Sequence, residues 1–163
     1  NILAIHSQLP ETLPPHVALY KQLMFAQGPL SRRHRELIAT VVSAANRCDY
    51  CIHHHSDALD RVTRDRALVR SVRENYRNAP LGAREMTMLH YAEALTLHPA
   101  DDSSARIAAM QVEGWTEQEI LHITLIVSYF NFVNRIALGL GIELEPYWGE
   151  DGFSDPELRM AHD

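Results

Sequence analysis

Residues 36–57 read ELIATVVSAANRCDYCIHHHSD, and the way this stretch folds decides how the rest of the chain is built. Leu37, Ile38, Val41 and Val42 recur at the three- and four-residue steps of a helix, with no strand-like alternation. That helix is expected to end or bend near Asn46-Arg47, and a second one to run from about Cys48 to Arg61. At about 100° per residue, Cys51 lies roughly 300° and His55 roughly 340° around the second helix from Cys48. All three side chains then share one narrow stripe. The i, i+4 step places His55 about 5–6 Å from Cys51 at the Cβ atoms, within reach directly or through one water. A thiol is a poor nucleophile, and a neighbouring base converts it to the reactive thiolate. Glu36 is the acid in the helical run just upstream, placed to orient and charge the histidine. The stretch reads as a redox-active dithiol, Cys48 and Cys51, with its own Glu36–His55 proton relay.

Outward from this stretch the chain is helix after helix. Residues 1–13 look extended, with Pro10, Pro14 and Pro15 blocking a helix before about Pro15. A helix from Pro15 to Gln27 stops at Gly28-Pro29, and Ser31 is an N-cap for the helix that carries Glu36. Residues 63–77 form a charged amphipathic helix with Ala67, Leu68, Val69 and Val72 inward. A turn at 79–82 precedes a helix over 83–97, closed by His98-Pro99, and a short helix over 101–113 ends at Gly114. Thr116 and Glu119 form a capping box opening the helix EQEILHITLIVSYFNFVNRIALGL, residues 117–140. It is apolar nearly all round, so it is central to the fold or covered at a subunit interface. Residues 142–163 look irregular. The fold class is all-α, about six to eight helices in one domain spanning 1–163.

Composition narrows the partners. A net charge of −6 argues against nucleic acid or an anionic membrane surface, and no apolar run is free of polar groups over a bilayer's thickness. Two cysteines among 163 residues are no disulfide scaffold; they suit a reducing compartment, the cytoplasm, and a catalytic or metal-binding role.

The spacing of Glu36, Cys48, Cys51 and His55, set in SAANRCDYCIHHHSDAL, resembles the signature of the alkylhydroperoxidase D-like group within the carboxymuconolactone decarboxylase superfamily. The later GWTEQEI and FNFVNRIALGLGIELEP resemble the C-terminal half of its peroxidase-related branch, so the likeness covers about residues 15–147. The resemblance implies an all-helical subunit assembled as a homo-oligomer (dimer, trimer or hexamer) and reduction of a hydroperoxide substrate by the cysteine pair, with no cofactor. It makes Cys51 the peroxide-attacking sulfur and Cys48 the more accessible resolving one, with His55 and Glu36 drawing the proton from Cys51. A dithiol reductant, a lipoyl group or a thioredoxin-like protein, would reopen the disulfide. Helix-end logic alone would choose Cys48 as the nucleophile, because it lies nearer the helix N-terminus. Tyr50 stands where the best-known members carry a histidine; a phenol is no base at neutral pH, though it retains a hydrogen-bond donor. Decarboxylase members lack the dithiol, which sets that activity aside.

Two rival readings use the same residues. A zinc site would draw on Cys48, Cys51 and one of His53, His54 and His55, with His122 as a fourth ligand. A non-catalytic helical module would keep the cysteines inert. His53 and His54 are expected to be solvated or at an interface, and Arg32-Arg33-His34-Arg35 to form a solvated face. His122, Tyr129, Asn131, Asn134 and Arg135 interrupt the apolar pattern of the last helix. They are expected to fix packing by buried hydrogen bonds, unless His122 or Arg135 borders the dithiol.

Overall fold

The computed structural model describes residues 2–155, and among these it forms an all-α fold of seven α-helices, with one isolated bridge between Trp148 and Ser154. The helices are α1 (Leu13–Met24), α2 (Arg32–Ala45), α3 (Asp49–Thr63), α4 (Arg66–Asn75), α5 (Ala83–Leu97), α6 (Ser104–Val112) and α7 (Glu117–Gly139). The irregular chain expected at the C-terminus runs into residues 156–163, which lie outside the described residues.

Helix α2 is the axis of the fold, with α3, α4, α5 and α7 packed around it. Its side chains from Arg35 to Ser43 are all buried. Ser31 starts it as expected, its hydroxyl accepting from the His34 backbone N–H. The chain leaves α2 through Arg47, whose φ of 55° makes the sharp turn into α3. Cys48 is the N-cap of α3, so that helix begins one residue after the cysteine.

Helix α7, expected to be central to the fold or covered at a subunit interface, packs one face against the bundle. Ile123, Ile126, Val127, Phe130 and Asn134 are buried against the bundle, and the capping box of Thr116 and Glu119 forms. Yet Leu121, Leu125, Phe132 and Leu138 on its other side are each 45% to 60% exposed. One stripe of an all-round apolar helix is enough to pack against the bundle, and the remaining face stays open. By length and composition α7 would also cross a bilayer, but half of it is buried within the fold.

The N-terminus departs from expectation. Residues 4–8 and 10–12 form short 3-10 turns rather than extended chain, and α1 starts at Leu13 with both prolines in its first turn, where a missing N–H is harmless. Helix α4 starts at Arg66, capped by Asp65, and Ala67 faces solvent while Leu68, Val69 and Val72 face inward. Residues 142–155 fold back over α3 and α4. Gly152 adopts a φ of 77°, and a Cβ there would meet the Arg73 guanidinium at 2.5 Å. The next residue, Phe153, is buried beneath Arg66 and Arg73. Ser154 then donates from its N–H (3.2 Å) and hydroxyl (2.7 Å) to Asp57 on α3.

The basic run 32–35 is not the solvated face expected. Arg35 is 4% exposed and donates to the carbonyls of Leu30 (3.0 Å), Leu23 (3.1 Å) and Ala26 (2.9 Å). A cation buried at the open carbonyl end of α1 satisfies groups that helix geometry leaves unpaired. Arg33 pairs with Glu85, and Arg32 with Glu36.

Candidate functional site

The side chains singled out in the sequence converge where α2 and α3 meet beneath α7. The Sγ atoms of Cys48 and Cys51 lie 2.8 Å apart, both cysteines being free. One turn further along α3, the Nδ1 of His55 lies 2.8 Å from Oε2 of Glu36. A carboxylate can only accept, so Nδ1 carries the hydrogen and Nε2 is left as the basic nitrogen. Glu36 is fully buried and its other oxygen is paired with Arg32, whose guanidinium also donates to the Met24 carbonyl at 2.8 Å. Phe130 of α7 meets the imidazole edge to face, ring centres 4.4 Å apart. The histidine is thus fixed in tautomer and orientation by an acid that is itself held in place.

A cavity of about 1330 Å³ opens beside this cluster, with Cys51 and His55 on its wall. Here the structure corrects the expected accessibility of the sulfurs. Cys48 is 1% exposed and does not line the cavity, whereas Cys51, at 3%, does. An N-cap residue sits at the helix end rather than on a helical face, which keeps the Cys48 sulfur away from the opening.

The electrostatics divide the pair the other way. The hydrogen bond from Cys51 pulls the Cys48 thiol below its ordinary pKa, against its burial, and the Cys51 backbone N–H adds to the effect. The same sulfur–sulfur contact, then burial, push Cys51 well up, while the Asn134 amide pulls it down. The sulfur–sulfur contact thus favours negative charge on Cys48 over Cys51.

The polar residues of α7 divide between packing and the cavity. Asn46, in the break between α2 and α3, donates to Asn131 (3.1 Å) and Asn134 (2.9 Å), and Asn134 donates to Ser43 (3.3 Å). These bonds tie the dithiol turn to α7. His122 is directed to the Leu23 carbonyl at 3.0 Å, and Arg135 is exposed and bonded to Asn131. Neither borders the dithiol; Tyr129 and Phe130 line the cavity instead. His122, the candidate fourth ligand of the zinc reading, lies away from the sulfurs, and among the described residues no three of His, Cys, Asp and Glu converge as a metal site would.

A second polar cluster lies on the cavity wall and had no signal in the sequence. The Glu145 carboxylate accepts from Tyr50 Oη (3.2 Å), His54 Nε2 (3.0 Å) and Trp148 Nε1 (3.1 Å). Burial opposes its ionisation, but the Trp148 N–H, its own backbone N–H and His54 outweigh it and hold its pKa at about 2. His54, expected to be solvated or at an interface, is half-buried, and burial lowers its pKa despite Glu145 beside it. His53 is half-buried, with Nδ1 at 2.7 Å from the Asp49 carbonyl. Tyr50, whose ionisation burial disfavours, gives its hydroxyl hydrogen to Glu145 and also accepts from the Ile2 N–H at 3.3 Å.

Comparison with known proteins shows the family and the fold. The model of the carboxymuconolactone decarboxylase family matches residues 10–94. The structure of an uncharacterised peroxidase-related protein from Silicibacter sp. TM1040 superposes with a TM-score of 0.86 at 32% identity, over 90% of this chain and 76% of that one. An alkylhydroperoxidase AhpD core structure, a peroxidase-related protein from Ralstonia eutropha JMP134, gives 0.82 at 26% identity, over 87% and 75% of the two chains. The uncharacterised protein YdfG of Bacillus subtilis (strain 168) is 24% identical over 115 residues, 71% of this chain and 78% of its own.

Proposed function

The chain belongs to the carboxymuconolactone decarboxylase family, and on that premise we propose that it is a peroxidase-related thiol oxidoreductase that reduces organic hydroperoxides or hydrogen peroxide through Cys51 and Cys48. The observation that carries the reading is the buried Glu36–His55 contact beside Cys51 on the wall of one cavity. Peroxidase-related relatives at 32% and 26% identity support the same class of chemistry.

In the proposed cycle the peroxide enters the cavity and meets Cys51, the sulfur on its wall. Against the resting preference of the pair for charge on Cys48, Cys51 gives up its proton to His55 Nε2, the Cys48 S–H donates to the Cys51 sulfur, and the Glu36 carboxylate stabilises the imidazolium through Nδ1–H. The thiolate attacks the outer oxygen, the O–O bond breaks, and the leaving alkoxide recovers the proton as an alcohol, leaving a sulfenic acid on Cys51. Cys48 attacks that sulfur; the S–S bond forms, and the hydroxyl takes the Cys48 proton and leaves as water. An external dithiol then attacks the disulfide, returns both thiols and departs oxidised. The net reaction converts one hydroperoxide and one dithiol to an alcohol, water and a disulfide. With both sulfurs buried, a slender arm such as a lipoyl group suits the cavity, and a thioredoxin-like protein is the other dithiol partner to test. Free thiols in such a cycle suit a reducing compartment, the cytoplasm.

The test is steady-state consumption of cumene hydroperoxide and hydrogen peroxide with dihydrolipoamide or reduced thioredoxin as donor. Turnover that needs both cysteines supports the reading. Protein that folds, binds a donor and consumes no peroxide overturns it.

A further inference from the structure

Resting on the peroxidase reading, we propose that the physiological substrate is an amphiphilic organic hydroperoxide, an extended apolar body carrying a carboxylate, with Lys21 as the group that receives the carboxylate. The cavity beside Cys51 measures about 1330 Å³. That exceeds the roughly 300–1,000 Å³ of sites that enclose a drug-sized ligand, and hydrogen peroxide fills almost none of it. Tyr20, Phe25, Tyr129, Phe130 and Val133 present rings and a branched side chain to the space, surface that stabilises an apolar body in proportion to the area covered.

The arginines on the same wall each face a carboxylate. Arg32 is matched by Glu36, and Arg61 by Asp57. Glu145 stays an anion on this wall, held by donors from Tyr50, His54 and Trp148. Lys21, in the last turn of α1, lines the cavity and has no carboxylate partner among the described residues. A cation without a carboxylate partner on the wall of a largely apolar cavity complements an anion at the polar end of the ligand. Its exposure limits the gain to the few-fold typical of a solvated pair, so it orients the substrate while the apolar wall supplies most of the binding.

The experiment compares kcat/KM at neutral pH for linoleic acid hydroperoxide, its methyl ester, cumene hydroperoxide and hydrogen peroxide, in the wild type and in Lys21→Met and Lys21→Glu. The lipid hydroperoxides are expected to exceed hydrogen peroxide at least about tenfold, from burial of their apolar bodies. The acid is expected to exceed its ester about threefold, a ratio that falls to about one in Lys21→Met and inverts in Lys21→Glu. Equal turnover of all four substrates, or an acid-to-ester ratio that ignores residue 21, overturns the proposed ligand class while leaving the peroxidase reading intact. A wild type that turns over none of the four overturns the peroxidase reading itself. Binding of the non-reactive hydroxy acid and its ester, measured by calorimetry, then decides the ligand class without any turnover, by the same ratio and its response to residue 21.

Discussion

Replacing Glu36 by glutamine probes the relay with the least change of shape. Glu36 is fully buried, with one oxygen at 2.8 Å from His55 Nδ1 and the other paired with Arg32. Glutamine keeps an oxygen able to accept from Nδ1–H but removes the negative charge that an imidazolium needs beside it. Positioned acid–base catalysis contributes about 10²–10⁴ in rate, so losing most of the base's support lowers kcat/KM about 100-fold, close to 3 kcal/mol of barrier. Stability falls by less, about 1–2 kcal/mol, because a charge-assisted hydrogen bond is exchanged for a neutral one and Arg32 can turn to water. The assay is peroxide consumption with saturating dithiol, alongside a urea unfolding curve to separate the two effects. His55→Asn should cost about as much, and the double variant little more than either, since a relay acts as a unit. A folded Glu36→Gln protein within about threefold of wild-type activity refutes the relay.

Other expectations follow from particular contacts. Arg35→Met leaves the Leu23, Ala26 and Leu30 carbonyls without their cation; it should destabilise by about 3 kcal/mol and lower Tm by roughly 10 °C, read by calorimetry. Glu145 is held at about 2, so its folded pKa is depressed. Its stabilisation is present above the unfolded carboxylate range near 4 and is lost as pH falls toward about 2. The urea midpoint of Glu145→Gln should therefore lie below wild type at neutral pH, the gap narrowing through that window. The exposed Leu121, Leu125 and Phe132 on α7 suit self-association, so Phe132→Glu should reduce the mass seen by light scattering; an unchanged mass shows that copies meet elsewhere or not at all.

Local signals in the sequence carried the fold and the centre of the site. Helical spacing, the Ser31 cap and the Thr116–Glu119 box marked the helices because each acts within one turn. Cys51 and His55 could be placed together because four residues on a helix fix their relation, and Glu36 because an acid in so apolar a helix has few places to go. The parts that were missed are long-range. Glu145 reaches Tyr50 and His54 across 95 and 91 residues, through a segment with no periodicity to place it. Arg35 looked like one of a solvated set because composition does not reveal that the end of α1 lies open above it. The helix expected from Pro15 starts two residues earlier, at Leu13, because Pro14 as well as Pro15 fits the first turn, where a helix does not need their hydrogens. The accessibility of the two sulfurs depended on which one caps α3, a difference of one residue in a helix boundary.

The most direct test treats the Cys48→Ser variant with one equivalent of hydroperoxide, traps with dimedone and locates the adduct by mass spectrometry, with Cys51→Ser in parallel. The expected result is a sulfenate adduct on Cys51 in the first variant and no peroxide consumed by the second. An adduct on Cys48 in Cys51→Ser, with Cys51 unmodified in Cys48→Ser, would contradict the assignment of Cys51 as the attacking sulfur; no adduct in either would contradict the dithiol cycle itself.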